Sequence, residues 1–284
     1  MKKMIHSLVL SSLICVSAWP LAAIAGSASD IPALTVVAQE AQSLVERIQA
    51  GDIAKLTDAD VIDTFKRLTP EVIASYLELG VQPYNEYELW MRREERLGGK
   101  WPAKPFLNHI KYRHRPRQLY LKWLTGGPKA GQEMIFDETR RKDALYGHVG
   151  GVFNVMSIWT PIDGALARSN SNHTVADLGL QSICAIVTAE RALYHAGGRR
   201  PFPDGIEIGE VAGQRTVALT WVAPSARHYA YRTKVYLDLR QPVVRGIEAW
   251  DADGTLIERI FLDKIVRTTF KDEDFDPANE AYAF

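Results

Sequence analysis

At Tyr84 the hydropathy of this chain changes period, and no other feature limits its fold as tightly. Beyond that point apolar and polar side chains alternate. The run "YEYELWMRREERL" sets Tyr87, Leu89 and Met91 on one face and Glu86, Glu88, Arg92 and Glu94 on the other. "FLNHIKYRH" sets Phe106, Ile110 and Tyr112 against His109, Lys111 and Arg113. "QLYLKWL" aligns Leu119, Leu121 and Trp123, and a Gly126-Gly127-Pro128 turn joins it to "QEMIFD", with Met134 and Phe136. A period of two is that of a strand with one dry face. Similar runs follow around Val152 to Trp159 and in "TVALTWV", "YAYRTKVYLDL", "VVRGIEAW" and "TLIERIFLDKIV". Asp253-Gly254 between the last two is a hairpin signal. The closing "FKDEDFDPANEAYAF" predicts an extended polar tail with aromatics.

Helical spacing comes first and returns once. Leu34, Val37, Ala38, Ala41, Leu44, Val45 and Ile48 share a face, and Gly51 stops that helix. Thr57-Asp58 opens a second helix, and Thr69-Pro70 a third that ends at Gly80. Between Thr174 and Ala196 the helical pattern reappears, with Asn172, His173 or Thr174 as its start. About nine strands with segregated helices predict an α+β fold with one antiparallel sheet. A sheet that large must curl, and helices must cover its apolar side.

The first 25 residues stand apart. MKK gives a positive start, "LVLSSLICVSAWPLAA" a short apolar core, and Ala23-Ile24-Ala25 a small-x-small cleavage site. This predicts a cleavable signal peptide over 1–25 and a periplasmic protein beginning at Gly26, with no stable membrane insertion after cleavage. Pro20 interrupts the apolar run, which is short for a membrane span. Basic and acidic residues number 34 each, which gives no electrostatic case for a nucleic-acid partner. Loss of the leader removes Cys15 and leaves Cys184, so no disulfide framework is possible. Its neighbours Ile183, Ala185, Ile186 and Val187 predict a buried thiol.

Chemistry-bearing patterns are sparse. His109, His114, His148, His173, His195 and His228 show no zinc-ligand spacing, so no metal and no cofactor is expected. Glu86, Glu88 and Glu94 alternate with apolar residues as a solvated face does. Ser157, Ser169, Ser171 and Ser182 lie in no nucleophile elbow, and Gly126-Gly127 and Gly150-Gly151 read as turns. No catalytic residue emerges, and the chain reads as a binding protein rather than an enzyme. Trp90, Trp123, Trp159, Trp221 and Trp250 all fall in predicted strands. They suit a packed core or the lining of a ligand cavity, because both are built from apolar and aromatic side chains.

The ordered segments "RREERLGG", "IKYRHRPRQLYLKWL", "GQEMIFDE", "ALYGHVGG" and "HTVADLGL" resemble the bacterial domain of unknown function 1571. The wider pattern, with "RPRQLYLKW", "GQEMIFD" and "PVVRGIEAWDADGTLIERIFLDKI", is similar to the LolA/LolB-like superfamily of periplasmic lipoprotein carriers. That resemblance implies an antiparallel half-barrel over residues 83–284, closed by helices, with a helix near 174–196 and a helical segment over 26–82. It implies a lipid or acyl chain, or a lipoprotein, as partner. The carriers' functional arginine would fall at Arg115 or Arg117. The strand phase then nominates Leu89, Met91, Ile110, Tyr112, Leu119, Leu121, Trp123, Met134 and Phe136 as cavity lining. Two other readings stand beside it: an envelope interaction protein whose sheet is filled by its own side chains, and an envelope enzyme. The enzyme requires a convergent polar cluster inside the cavity.

Overall fold

The computed structural model describes residues 30–148, 156–225 and 229–284, with side chains from Leu34 onward. The leader and its cleavage site, the start of the strand expected at Val152, and His228 lie outside the described residues. Val37–Phe284 form one compact unit.

Helix α1 (Asp30–Gln49) buries Ala41, Leu44, Val45 and Ile48, the stripe its periodicity marks. Gly51 ends it with a φ of 76°, a conformation that costs a residue without Cβ little. Thr57 and Thr69 cap α2 (Asp58–Lys66) and α3 (Pro70–Val81), each hydroxyl accepting from the backbone N–H three residues on. The buried faces of α2 and α3, including Phe65, Ile73, Tyr76 and Leu77, join the same core as the sheet.

The strands are β1 (Glu86–Glu95), β2 (Phe106–Arg113), β3 (Gln118–Trp123), β4 (Glu133–Asp137), β5 (Ala144–His148), β6 (Ser157–Pro161), β7 (Gly205–Val211), β8 (Gln214–Val222), β9 (Arg232–Asp238), β10 (Val244–Trp250) and β11 (Leu256–Arg267). All pair antiparallel in one open sheet of order β6-β5-β4-β3-β2-β1-β11-β10-β9-β8-β7. The fold is the expected α+β class, a curved half-barrel sheet covered by helices. Two strands were not anticipated. β5, "ALYGH", and β7, "GIEIGEV", are short or glycine-bearing and lack a clean alternation of apolar and polar residues.

This strand order explains the position of the late helix. β6 and β7 are the two opposite edges of the sheet, so residues 162–204 must cross one of its faces. The crossing carries α4 (Leu180–Ala196). Its start is six residues later than Thr174. Thr174 instead caps a single tight turn, Val175–Asp177, and Gly179, at φ 107°, turns the chain into α4. An ion pair between Arg191 and Glu71 and the Cys184 thiol tie α4 to α3.

The other face of the sheet is covered by the chain end. Phe270 and Phe275 pack with Tyr120 and Ile135 in a second cluster, with Tyr282 stacked on Tyr120 at 4.0 Å. The closing segment is therefore a packed strap rather than an extended tail. The carboxylate-rich face of β1 is not simply solvated either. Glu86 accepts from Arg113 at 2.9 Å, and Glu88 lies 2.7 Å from His109. Arg113 itself is buried, held by Phe270 O and Asp272.

Candidate functional site

Strand register sets side chains of one phase in rows across the sheet. Leu89, Ile110, Leu121 and Met134 form one row over β1–β4, which meets Gly147 on β5. Met91, Asn108 and Trp123 form the next. These rows floor a cavity of about 500 Å³. Val235, Ile247, Ile260 and Leu262 continue the floor on the far strands, and Ile73 and Ala74 of α3 supply a wall. Overhead lie Ile183, Ile186, Val187 and Tyr194 of α4. Ile186 borders the cavity yet is 41% exposed, so this helix stands off the floor as a lid instead of sealing it.

Of the nine nominated residues, Leu89, Met91, Ile110, Leu121, Trp123 and Met134 border the cavity. Tyr112, Leu119 and Phe136 do not. They share the phase but form the row beyond, in register with Tyr87. The entry to α4 seats on that row. Leu180 N–H donates to Tyr87 Oη at 2.8 Å, and a Cβ on Gly179 would meet the Tyr112 ring at 2.6 Å. Period two gives the face of a residue but not how far the cover extends along it. Arg115 and Arg117 also miss the cavity, and Arg117 braces the turn carbonyl of Ala176 at 3.4 Å.

The opposite end of the cavity is polar, and sequence reasoning missed it. Arg93 and Glu95 continue the Leu89–Met91 phase, and Glu258 precedes Ile260 and Leu262 in theirs. Glu95 and Glu258 face each other across β1 and β11 and are almost wholly buried. Glu95 is held by the Arg93 guanidinium, by Ser171 Oγ at 3.0 Å and by Asn172 N–H at 2.5 Å. Glu258 is held by His173 Nε2 at 2.7 Å and by Tyr229 Oη at 3.0 Å. The crossing loop is thus fastened to the sheet at two buried carboxylates. Burial works against a charge on His173, but Glu258, Glu95 and Asp177 outweigh it and hold its pKa above the ordinary imidazole value. Burial and the Glu258 carboxylate push the Tyr229 phenol up. The signal that could have found this end is a charged residue standing in an otherwise apolar phase.

Cys184 is buried as expected, its Sγ 3.4 Å from Leu77 O, and burial pushes the thiol up to about 12. Among the described residues no helix is long and apolar enough to cross a membrane.

The family profile described as "Protein of unknown function (DUF1571)" matches residues 84–284, the whole sheet together with its crossing helix. The chain belongs to the DUF1571 family. No curated protein matches it. Among solved structures, this DUF1571 protein is similar to an uncharacterized conserved protein from Thermus thermophilus, with 9% identity and a TM-score of 0.41, covering 72% of this chain and 93% of that one. It is similar to a chain of the MucA/MucB complex of Pseudomonas aeruginosa, with 13% identity and a TM-score of 0.41, covering 72% of this chain and 61% of that one. It is also similar to a LolA superfamily protein from Nitrosomonas europaea, with 7% identity and a TM-score of 0.32, covering 74% and 98%.

Proposed function

We propose that this DUF1571 protein is an exported periplasmic carrier that shelters a lipid or the acyl chain of a lipidated ligand between its sheet and α4. The observation that carries this reading is the apolar cavity of about 500 Å³ under a lid helix whose lining residue Ile186 remains exposed. Ligand sites of a few hundred cubic ångströms lined by apolar side chains with a few polar groups bury most of a small ligand. A sheet filled by its own side chains would leave no such space.

Physical need supports the assignment. Burying about fourteen methylenes is worth on the order of 10 kcal/mol, so an acyl chain does not cross water uncovered. A carrier must offer that burial reversibly. A lid anchored to α3 on one side, with a loop fastened by hydrogen bonds on the other, can lift without disturbing the strands. Export rests on the charged start, short apolar core and Ala-Ile-Ala site of the first 25 residues.

A second reading, an enzyme acting on an envelope component, is favoured by the Glu95, His173 and Glu258 cluster. Buried carboxylates beside a histidine are a recurrent acid–base arrangement. Here each carboxylate already takes hydrogen bonds from the crossing loop, which suits a fastening more than a proton shuttle. Native mass spectrometry of gently purified protein, followed by binding of a fluorescent fatty acid after delipidation, tests the carrier. A copurifying lipid that the probe displaces supports it. Failure to bind any acyl probe removes it, and turnover of an acyl ester lost in Glu258→Gln would install the enzyme.

A further inference from the structure

One strip of the cavity floor departs from the rest. Asn108 on β2 stands opposite Met91 on β1 and Trp123 on β3, in the phase that places Ile110 in the next row. It is 1% exposed, and among the described residues neither its Oδ1 nor its Nδ2 has a hydrogen-bond partner. Trp123 Nε1 and Arg93 Nε are likewise buried and without a partner among the described residues. Directly opposed and diagonal positions on a sheet lie within side-chain reach, so these three groups form one patch on three adjacent strands. A buried amide without partners is costly, and folded proteins pair nearly all such groups. A floor with no task beyond packing would place leucine at position 108.

Resting on the carrier reading, we propose that this strip recognises the polar group of the bound molecule. The group is an uncharged acyl carbonyl with an adjacent N–H or O–H, as in an N-acyl amide or a hydroxyl-bearing acyl ester. The chemistry follows from what is unspent. Asn108 Nδ2, Trp123 Nε1 and Arg93 Nε are donors, which suit a carbonyl oxygen, while Asn108 Oδ1 is an acceptor for the neighbouring N–H or O–H. Asn108, Trp123 and Arg93 all border the cavity, which places these unspent groups beside a bound molecule.

A free carboxylate fits less well. The Arg93 charge is already matched by Glu95, and Glu258 lies opposite Glu95, so the strip offers no spare positive charge. The row order then orients the ligand. Its carbonyl sits at the Met91–Asn108–Trp123 row, and its chain lies over the adjacent Leu89–Ile110–Leu121–Met134 row, on the side closed by Tyr87 and Tyr112.

The test uses the delipidated full-length mature protein and competition of N-methylpalmitamide, palmitic acid and hexadecane against a fluorescent acyl probe. Comparing the ratio of amide to alkane affinity between parent and variant cancels the difference in water solubility. Asn108→Leu should lower that ratio about tenfold and Trp123→Phe about threefold, each by the loss of hydrogen bonds to the carbonyl. The ratio, not the alkane affinity itself, is the readout, because both side chains also line the floor. Asn108→Leu should also melt at a higher temperature than the parent, because it removes an unpartnered amide. Unchanged ratios in both variants, or a parent that prefers palmitic acid to the amide, would overturn the subsite while leaving the carrier intact. A parent that binds none of the three removes both.

Discussion

On β3, Leu119, Leu121 and Trp123 point to one side of the sheet and Tyr120 and Lys122 to the other, and the two sides are completed differently. The side bearing Tyr120 is filled by the chain itself, with Phe270 and Phe275 packed on Tyr120 and Ile135 and Tyr282 stacked above. Its charges are paired at short range, as in Lys111 with Asp274 at 2.5 Å and Lys122 with Glu133 at 2.7 Å. The side bearing Leu121 keeps a cavity, roofed by a helix that rests on α3. One face spends its apolar surface on stability, and the other reserves it. Alternation along a strand is blind to this distinction, because an apolar phase reads the same whether a strap or a ligand covers it.

The largest separation of the two faces is expected from a pair of substitutions. Phe275→Ala empties a fully buried site under the strap and should cost about 3–5 kcal/mol of stability. Acyl binding by the fraction that stays folded should match the parent, measured by probe titration well below the melting temperature. Leu121→Glu should act on binding. It buries a carboxylate without a partner whenever a chain occupies the cavity, and binding should fall by at least about a hundredfold. Leu121 is itself 3% exposed, so the melting temperature should fall as well, and binding is titrated well below it in the fraction that stays folded. If Phe275→Ala abolished binding and Leu121→Glu spared it, the assignment of the faces would be reversed. Lys122→Glu sets a second carboxylate against Glu133, which is almost wholly buried, so it should lower the melting temperature while leaving binding intact.

Much of this division was open to sequence reasoning, and the reasons for the gaps are physical. Capping threonines and Gly51 placed the early helices, and period two placed the strands that carry long alternating runs. It also grouped Leu89, Ile110 and Leu121 on one side. β5 and β7 escaped because glycine and short length blur alternation. The strap escaped because Phe270, Phe275 and Tyr282 are spaced by polar residues with no period, and only tertiary packing brings them onto Tyr120 and Ile135. The cavity's polar end escaped for a different reason. Arg93, Glu95 and Asn108 fall in the apolar phase without being apolar, and alternation gives such residues no weight, whereas a charged or amide residue in that phase marks a place where the floor has work other than packing. Tyr112, Leu119 and Phe136 show the converse limit, since the right phase does not locate the edge of a lid.

A smaller effect should follow from pH, and it acts on the cavity side alone. His173 holds the crossing loop to Glu258, with Glu95, Asp177, Tyr229 and, beyond Glu95, Arg93 as the other charged or titratable groups around it. Its pKa is raised above the ordinary value near 6.5. The fastening energy is therefore fully present below that value and is lost as pH rises through the higher folded-state value. Hydrogen exchange of the Asn172 amide, corrected for intrinsic chemistry, should speed up across that window. The amides of β2 and β3 beneath the strap should not respond. His173→Gln should remove the pH dependence, and a pH-independent Asn172 amide in the parent would show that His173 does not fasten the loop.

The smallest effect concerns the hinge side of the lid. Cys184 lies on α4 against Leu77 of α3, opposite the half-exposed flank that carries Ile186. Its thiol is buried, and with its pKa pushed up to about 12 almost none is thiolate at neutral pH. Labelling should accordingly be slow, and Cys184→Ala should leave acyl binding within about twofold of the parent, since the thiol packs and bonds against α3, away from the cavity lining. The labelling rate also reports how the lid moves. If α4 pivots about its contact with α3, the thiol stays covered whether or not a chain is bound, and saturating acyl probe should not change the rate. The thiol of Ile186→Cys, on the open flank, should be labelled quickly in the free protein and slowly in the bound one. Should ligand slow both positions equally, α4 leaves α3 as a whole. The cavity would then open by undocking the helix, not by lifting one edge.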